Sequence, residues 1–269
     1  MTSSSSPLSE VLEILRLVSM REVAPLVYPA RRMTYQMILC GSDGMVIASD
    51  RCERVPQDEG ASVDNFLTKI KISSDEKWAW AFSGGRRAKM VAEEMAKRYR
   101  ATIAQSDMGP FIQECQSAIG SEIVTKNGDC IVVAHGESKG VSRYKYEGYG
   151  YWSLDGTMGP RCIAGSAHNL ASFVINRFYR QTAMVDELSL LAAYSIWCAH
   201  KIDSIMVDGL NLAIFRDSTR RFEWADASAL LDKAKEVDTA MRSTFRTLGK
   251  AGERPGQPDP VHMGNAGTS

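Results

Sequence analysis

At 269 residues, 44% hydrophobic and 24% charged, the chain is long enough for one large domain with a full core or two small ones. Its 32 basic and 32 acidic residues balance, which removes the electrostatic case for nucleic acid or an anionic membrane as the main partner. The longest apolar runs are too short to span a bilayer, and six scattered cysteines without a CxxC pair suit a reducing cytoplasm better than secretion.

Residues 1–33 read as an appendage. Ser3–Ser6 is low-complexity, Pro7 can open a short amphipathic helix through Leu8, Val11, Leu12 and Leu15, and Pro25 and Pro29 break any regular structure beyond it. Glu10, Glu13 and Arg16 interrupt the apolar stretch, so it fails as a signal peptide. Three readings stay open: a propeptide, a disordered or docking extension, or a start placed too early, with Met20 and Met33 as later starts.

From Thr34 the pattern changes to hairpins. Thr34–Cys40 alternates Tyr35, Met37 and Leu39 against Gln36, Ile38 and Cys40; Asp43-Gly44 supplies a tight turn, and Met45–Ser49 returns to end on Asp50. A polar loop over Cys52–Asn65 is followed by a second hairpin, Thr68–Ser73 with Lys77–Ser83, closed by Gly84-Gly85. The spacing then predicts a helix over Arg86–Ile103 and another from Gly109-Pro110 through Phe111, Cys115, Ile119 and Ile123. Asp129–Gly136 and Val141–Glu147 form a third hairpin, Gly148–Gly159 reads as an aromatic loop, and Arg161–Ser166 is a short strand. Helices come next over Asn169–Arg180 and from an Asp186 cap through Ala199. Gly209–Arg216 and Arg220–Ala225 make the last hairpin, and Asp226–Leu248 the last helix, stopped by Gly249. This order predicts an α+β fold, two packed antiparallel sheets flanked by helices on both outer faces, with no alternating βαβ pattern. It spans a single domain over 34–250, with a Pro/Gly-rich, disordered tail over 251–269.

The chemistry of interest is a threonine placed first on a strand. Threonine is a poor nucleophile until something takes its proton; as the first residue of a chain, its own α-amino group, with an ordinary pKa of about 7.7–8.0, can do so. Thr34 to Asp50, Lys69-Ile70, Phe82-Ser83-Gly84-Gly85, Ile163-Ala164-Gly165-Ser166 and Asp203-Ser204 stand in an order that resembles the β-type subunits of proteasomes and their bacterial relatives. Those proteins are N-terminal-nucleophile (Ntn) hydrolases with a four-layer αββα sandwich, and the resemblance covers roughly residues 34–225.

The resemblance implies Thr34 as nucleophile with its freed amine as base, and Asp50 and Lys69 as the charged pair beside it. It implies Gly84 as the oxyanion donor, Ser166 as the serine near the amine, and Asp203 as a second aspartate of that cluster. A lysine cation beside the amine favours its neutral form, which a base working near pH 7 needs. Two positions depart from the pattern: Met206 stands where a serine is usual, and Met33 precedes Thr34 where self-processing members carry glycine. The implied activity is threonine-type hydrolysis of peptide or other amide bonds in the cytoplasm, without a cofactor, on peptide or unfolded-protein substrates. The implied assembly is a homo-oligomeric ring or stack, with an unfoldase as a further partner. The alternative is a catalytically inactive scaffold or binding subunit whose Thr34 stays blocked.

The same residues have plainer readings. Thr34 alone is an ordinary strand threonine, Asp50 can end a strand against Arg51 or Arg54, Gly84-Gly85 can be only a turn, and Ser166 only a helix cap. Alternation leaves open which side of its strand Lys69 takes, since Lys71 shares its phase. The histidines, His135, His168, His200 and His262, have no metal-ligand spacing, and no GxSxG motif surrounds His168.

Overall fold

Tyr35–Cys40 (β1) and Gly44–Ser49 (β2) pair antiparallel, from Gln36 opposite Ser49 to Cys40 opposite Met45. Every residue of both strands is buried, because the sheet they belong to is covered on both faces. This computed structural model describes residues 35–56, 62–120, 128–165, 170–202 and 207–251, all within the unit Arg32–Ser269. The expected extension 1–33 lies outside them.

The remaining strands are Cys52–Pro56 (β3), Ser62–Phe66 (β4), Ile70–Ile72 (β5), Trp78–Ser83 (β6), Cys130–His135 (β7), Gly140–Gly148 (β8), Tyr151–Met158 (β9), Arg161–Gly165 (β10), Asn211–Arg216 (β11) and Arg221–Trp224 (β12). One sheet runs β10-β1-β2-β11-β12, the other β5-β6-β7-β8-β9, and β3-β4 form a separate ribbon; every pairing is antiparallel. Helices occupy Arg86–Arg98 (α1), Met108–Ile119 (α2), Leu170–Phe178 (α3), Val185–Ile202 (α4) and Ala227–Ala251 (α5).

Three apolar layers hold the sandwich together. Tyr35, Met37 and Leu39 face α3–α5, meeting Ile175, Leu188, Ala192, Ile196 and Ala234. Ile38, Met45 and Ile47 point the other way, against Ile70, Ala79, Ala81, Val132 and Ala134 of the second sheet. On that sheet β6 alternates by size: Ala79 and Ala81 face the first sheet, while Trp78, Trp80 and Phe82 meet α1 and α2 through Val91, Met95 and Ile112. Small residues inside let the sheets approach, and large ones outside fill the wider gap under the helices. The buried Trp80 indole N–H is satisfied by the Ala92 carbonyl at 3.0 Å. The fold is an αββα sandwich of the Ntn-hydrolase type, as expected.

Some local expectations differ. The stretch read as a polar loop, Cys52–Asn65, contains the β3–β4 ribbon, and the aromatic loop Gly148–Gly159 contains β9, an edge strand with register shifts against β8. The first helix ends at Arg98, not Ile103, because Tyr99 leaves helical geometry with its hydroxyl donating to Asp75 at 3.0 Å. Asp186 lies inside the first turn of α4 instead of capping it. The last helix continues to Ala251, one residue into the expected tail.

Candidate active site

Asp50 comes directly after β2 and is fully buried. Its Oδ1 accepts the Tyr35 N–H at 2.7 Å; its Oδ2 accepts the Lys69 ammonium at 2.7 Å and the Cys52 N–H at 3.0 Å. The Asp50 N–H donates back to the Tyr35 carbonyl at 3.1 Å. Burial pushes the Asp50 carboxyl up from the ordinary carboxylate range, and the Lys69 ammonium and the two backbone N–H groups pull against it.

The β3–β4 ribbon explains how residues nineteen apart meet. Its base is the pair Cys52–Phe66, so the chain leaves at Asp50 and returns just before Lys69. The Leu67 N–H donates to the Arg51 carbonyl at 2.9 Å, and the Asn211 side-chain amide donates to the Leu67 carbonyl at 2.8 Å, tying the return to β11. Lys69 thereby turns inward at 3% exposure while Lys71 stays half-buried, which settles the side that alternation left open. Gln36 and Ser49, paired across β1 and β2, bring further buried polar groups to the same end of the sandwich.

Gly84 lies just past β6 at the turn into α1, with φ +106°, a region that L side chains rarely adopt. A Cβ there would lie 2.3 Å from Asp129 Oδ1 and 2.6 Å from Asp129 Cα. Asp129 is a buried residue of this site that sequence reading passed over, taking it only as the start of an apolar strand. Its signal in the sequence was slight: one carboxylate between Gly128 and a run of Cys130-Ile131-Val132-Val133.

Thr34, Ser166 and Asp203 lie outside the described residues, as do Met33, Met206 and His168. Tyr35, next after Thr34, pairs with Gly165, which precedes Ser166. Asp50 and Lys69 come together in one ion pair, and Gly84 stands beyond β6, whose Phe82 N–H donates to the Lys69 carbonyl at 3.3 Å. His135 and His200 take other roles: His135 stacks on Trp78 at 4.2 Å, and His200 Nδ1 is 2.8 Å from the Val207 carbonyl. Among the described residues no group of three His, Cys, Asp or Glu side chains converges on a point, and no helix is long and apolar enough to cross a membrane.

No family model matches the chain, and no curated protein does. Solved structures do. Anbu, described as an ancestral beta-subunit, from Yersinia bercovieri superposes with a TM-score of 0.61 at 14% identity over 83% of this chain and 99% of that one. The fold is that of the Anbu proteins. A helical assembly of the Anbu complex from Pseudomonas aeruginosa matches with a TM-score of 0.59 at 12% identity over 84% and 98% of the two chains. Anbu from Hyphomicrobium sp. strain MC1 matches at 0.58 and 12% identity over 79% and 97%.

These neighbours correct the family expected from the sequence. They are proteasome-like but distinct from the proteasome β-type subunits that the motif order suggested. The physical reason lies in where those motifs sit. Asp50 and Lys69 flank a ribbon base, Gly84 occupies a left-handed turn, and Gly165 ends a strand at φ +102°. These residues stand at turns and strand ends of the sandwich, so their order pointed to a proteasome-like fold and did not point to the Anbu structures that it resembles.

Proposed function

We propose that this chain is a threonine-type Ntn hydrolase with an Anbu-like fold, acting on peptide or other amide bonds. The observation that supports it best is the buried Asp50–Lys69 pair whose carboxylate also grips the N–H of Tyr35, one residue after Thr34. In this reading Thr34 becomes the first residue of the mature chain and its amine takes the hydroxyl proton. The Lys69 cation beside that amine favours its neutral form, and Asp50 holds Lys69 in place. Thr34 Oγ attacks the carbonyl and the Gly84 N–H stabilises the oxyanion. The C–N bond breaks as the leaving amine takes the proton held by the Thr34 amine, and water then hydrolyses the ester to free the carboxylic acid and Thr34. Ser166 and Asp203 support the amine. Self-association belongs to the same reading, since the Pseudomonas aeruginosa Anbu complex forms a helical assembly.

Intact mass and N-terminal sequencing of protein from its native host come first, then a threonine-directed covalent probe. A chain beginning at Thr34 that labels there, and loses both label and turnover in Thr34→Ala while keeping its unfolding midpoint, is the expected result. Retained turnover in Thr34→Ala would sink the mechanism. A chain that keeps residues before Thr34 and takes no label favours the scaffold alternative.

A further inference from the structure

We infer that Asp129 is a positioning residue that sets the direction of the Gly84 N–H; this rests on the function proposed above. A Gly-Gly turn has no side chain of its own to hold it, and glycine populates more backbone conformations than any other residue. An oxyanion donor works only when its N–H is aimed before the reaction begins. Something outside Gly84-Gly85 must supply that rigidity.

Asp129 supplies it from the neighbouring strand. It immediately precedes β7, opposite the turn, because the β6–β7 ladder still pairs Ser83 with Cys130. It is 2% exposed, and its Oδ1 accepts the Gly85 N–H. Its own carbonyl accepts the Tyr146 N–H at 3.0 Å, so the carboxylate is mounted on a backbone anchored in β8. The ring of Tyr146 in turn carries the guanidinium of buried Arg87, from the first turn of α1, at 4.4 Å.

The strand end at Ser83 and the Asp129 carboxylate bracket Gly84: the carboxylate fixes the peptide plane after it, and the direction of the Gly84 N–H follows from that plane through the Gly84 backbone angles. Between them Gly84 is held at φ +106°, with its Cα packed against Asp129 too closely for any Cβ. Gly85 is also the N-cap of α1 and has no side chain to offer the helix, so Asp129 places a negative charge where the helix dipole favours one. One carboxylate orders the donor loop and caps the adjoining helix.

The test compares Asp129→Ala with Asp129→Asn in the full chain, measuring kcat and KM on an amide substrate whose turnover depends on Thr34. Alanine removes the acceptor, and asparagine keeps an oxygen of the same shape. Asp129→Ala is expected to lower kcat by about 10-fold or more with KM changed less than about twofold, short of the ~100-fold caused by loss of a whole oxyanion donor. Asp129→Asn is expected to recover most of that loss. Equal kcat in wild type and Asp129→Ala, or an asparagine variant no better than alanine, would overturn the inference. Amide hydrogen exchange in the wild-type chain covers the case in which a variant fails to fold: a protected Gly85 N–H is expected, and a freely exchanging one overturns the proposal. If the wild type itself lacks Thr34-dependent turnover, the functional reading fails and this inference with it. If wild type turns over and Asp129→Ala matches it, the inference fails alone.

Discussion

Lys69 and Lys71 are chemically identical and two residues apart, yet one is buried on a carboxylate and the other is half-exposed. Two buried charges are tolerated here because Asp50 also receives two backbone N–H donors. Lys69→Met would remove the counter-charge and leave the carboxylate buried, a change that costs about 3–5 kcal/mol at comparable pairs. The two remaining N–H donors favour the lower end of that range. Urea unfolding should show this loss, with part of it recovered in the double variant Asp50→Asn/Lys69→Met. A loss below about 1 kcal/mol, the range of exposed pairs, would show that water reaches the pair.

At the scale of elements, α1 and α4 are started from a distance. The expected cap of α4 was Asp186, but the Val185 N–H is taken by the Asp43 carboxylate at 2.8 Å, from the turn between β1 and β2. Asp186 instead receives Arg216 of β11 at 2.5 Å on the exposed side. Asp129 does the same for α1 at Gly85. Sequence reading looks for a cap beside its helix, and neither of these is beside it, whereas Asp226, which accepts the Ala229 N–H at 3.0 Å, is. Asp43→Ala should lower stability by about 1 kcal/mol, the usual cost of losing an N-cap. A denaturant midpoint unchanged from wild type would contradict that role for Asp43.

Across the whole molecule, all six cysteines are free and buried. Burial pushes the thiols of Cys40 and Cys162 up to about 11 and those of Cys115 and Cys130 to about 12, from an ordinary 9.0, and raises Cys198 as well. The folded state therefore keeps these protons at a pH where the unfolded chain has lost them. Their contribution is complete below about pH 9 and lost as pH rises from there towards 12. Tyr35 and Tyr179, raised to about 12, act in the same direction. The urea midpoint should hold steady from about pH 6 to pH 8 and fall continuously above pH 9. A midpoint that is flat or rising between pH 9 and pH 11 would exclude this source of alkaline sensitivity.

Local pattern was enough to determine the class of this fold. Period-two runs such as Lys77–Ser83, tight turns such as Asp43-Gly44 and amphipathic spacing from Arg86 onward are properties of near neighbours in the chain. Asp50, Lys69 and Gly84 were singled out only through the family resemblance, which rests on the order of motifs along the chain. Only the tertiary structure decided that Lys69 faces inward, that Cys52–Phe66 closes a ribbon under the ion pair, and that Asp129 reaches across to Gly85. Each depends on contacts between residues far apart in sequence, whose energy comes from burial that neither partner achieves alone. The likeness to the Anbu structures was beyond the sequence for the same reason: at 12–14% identity it is carried by the arrangement of strands and helices in space.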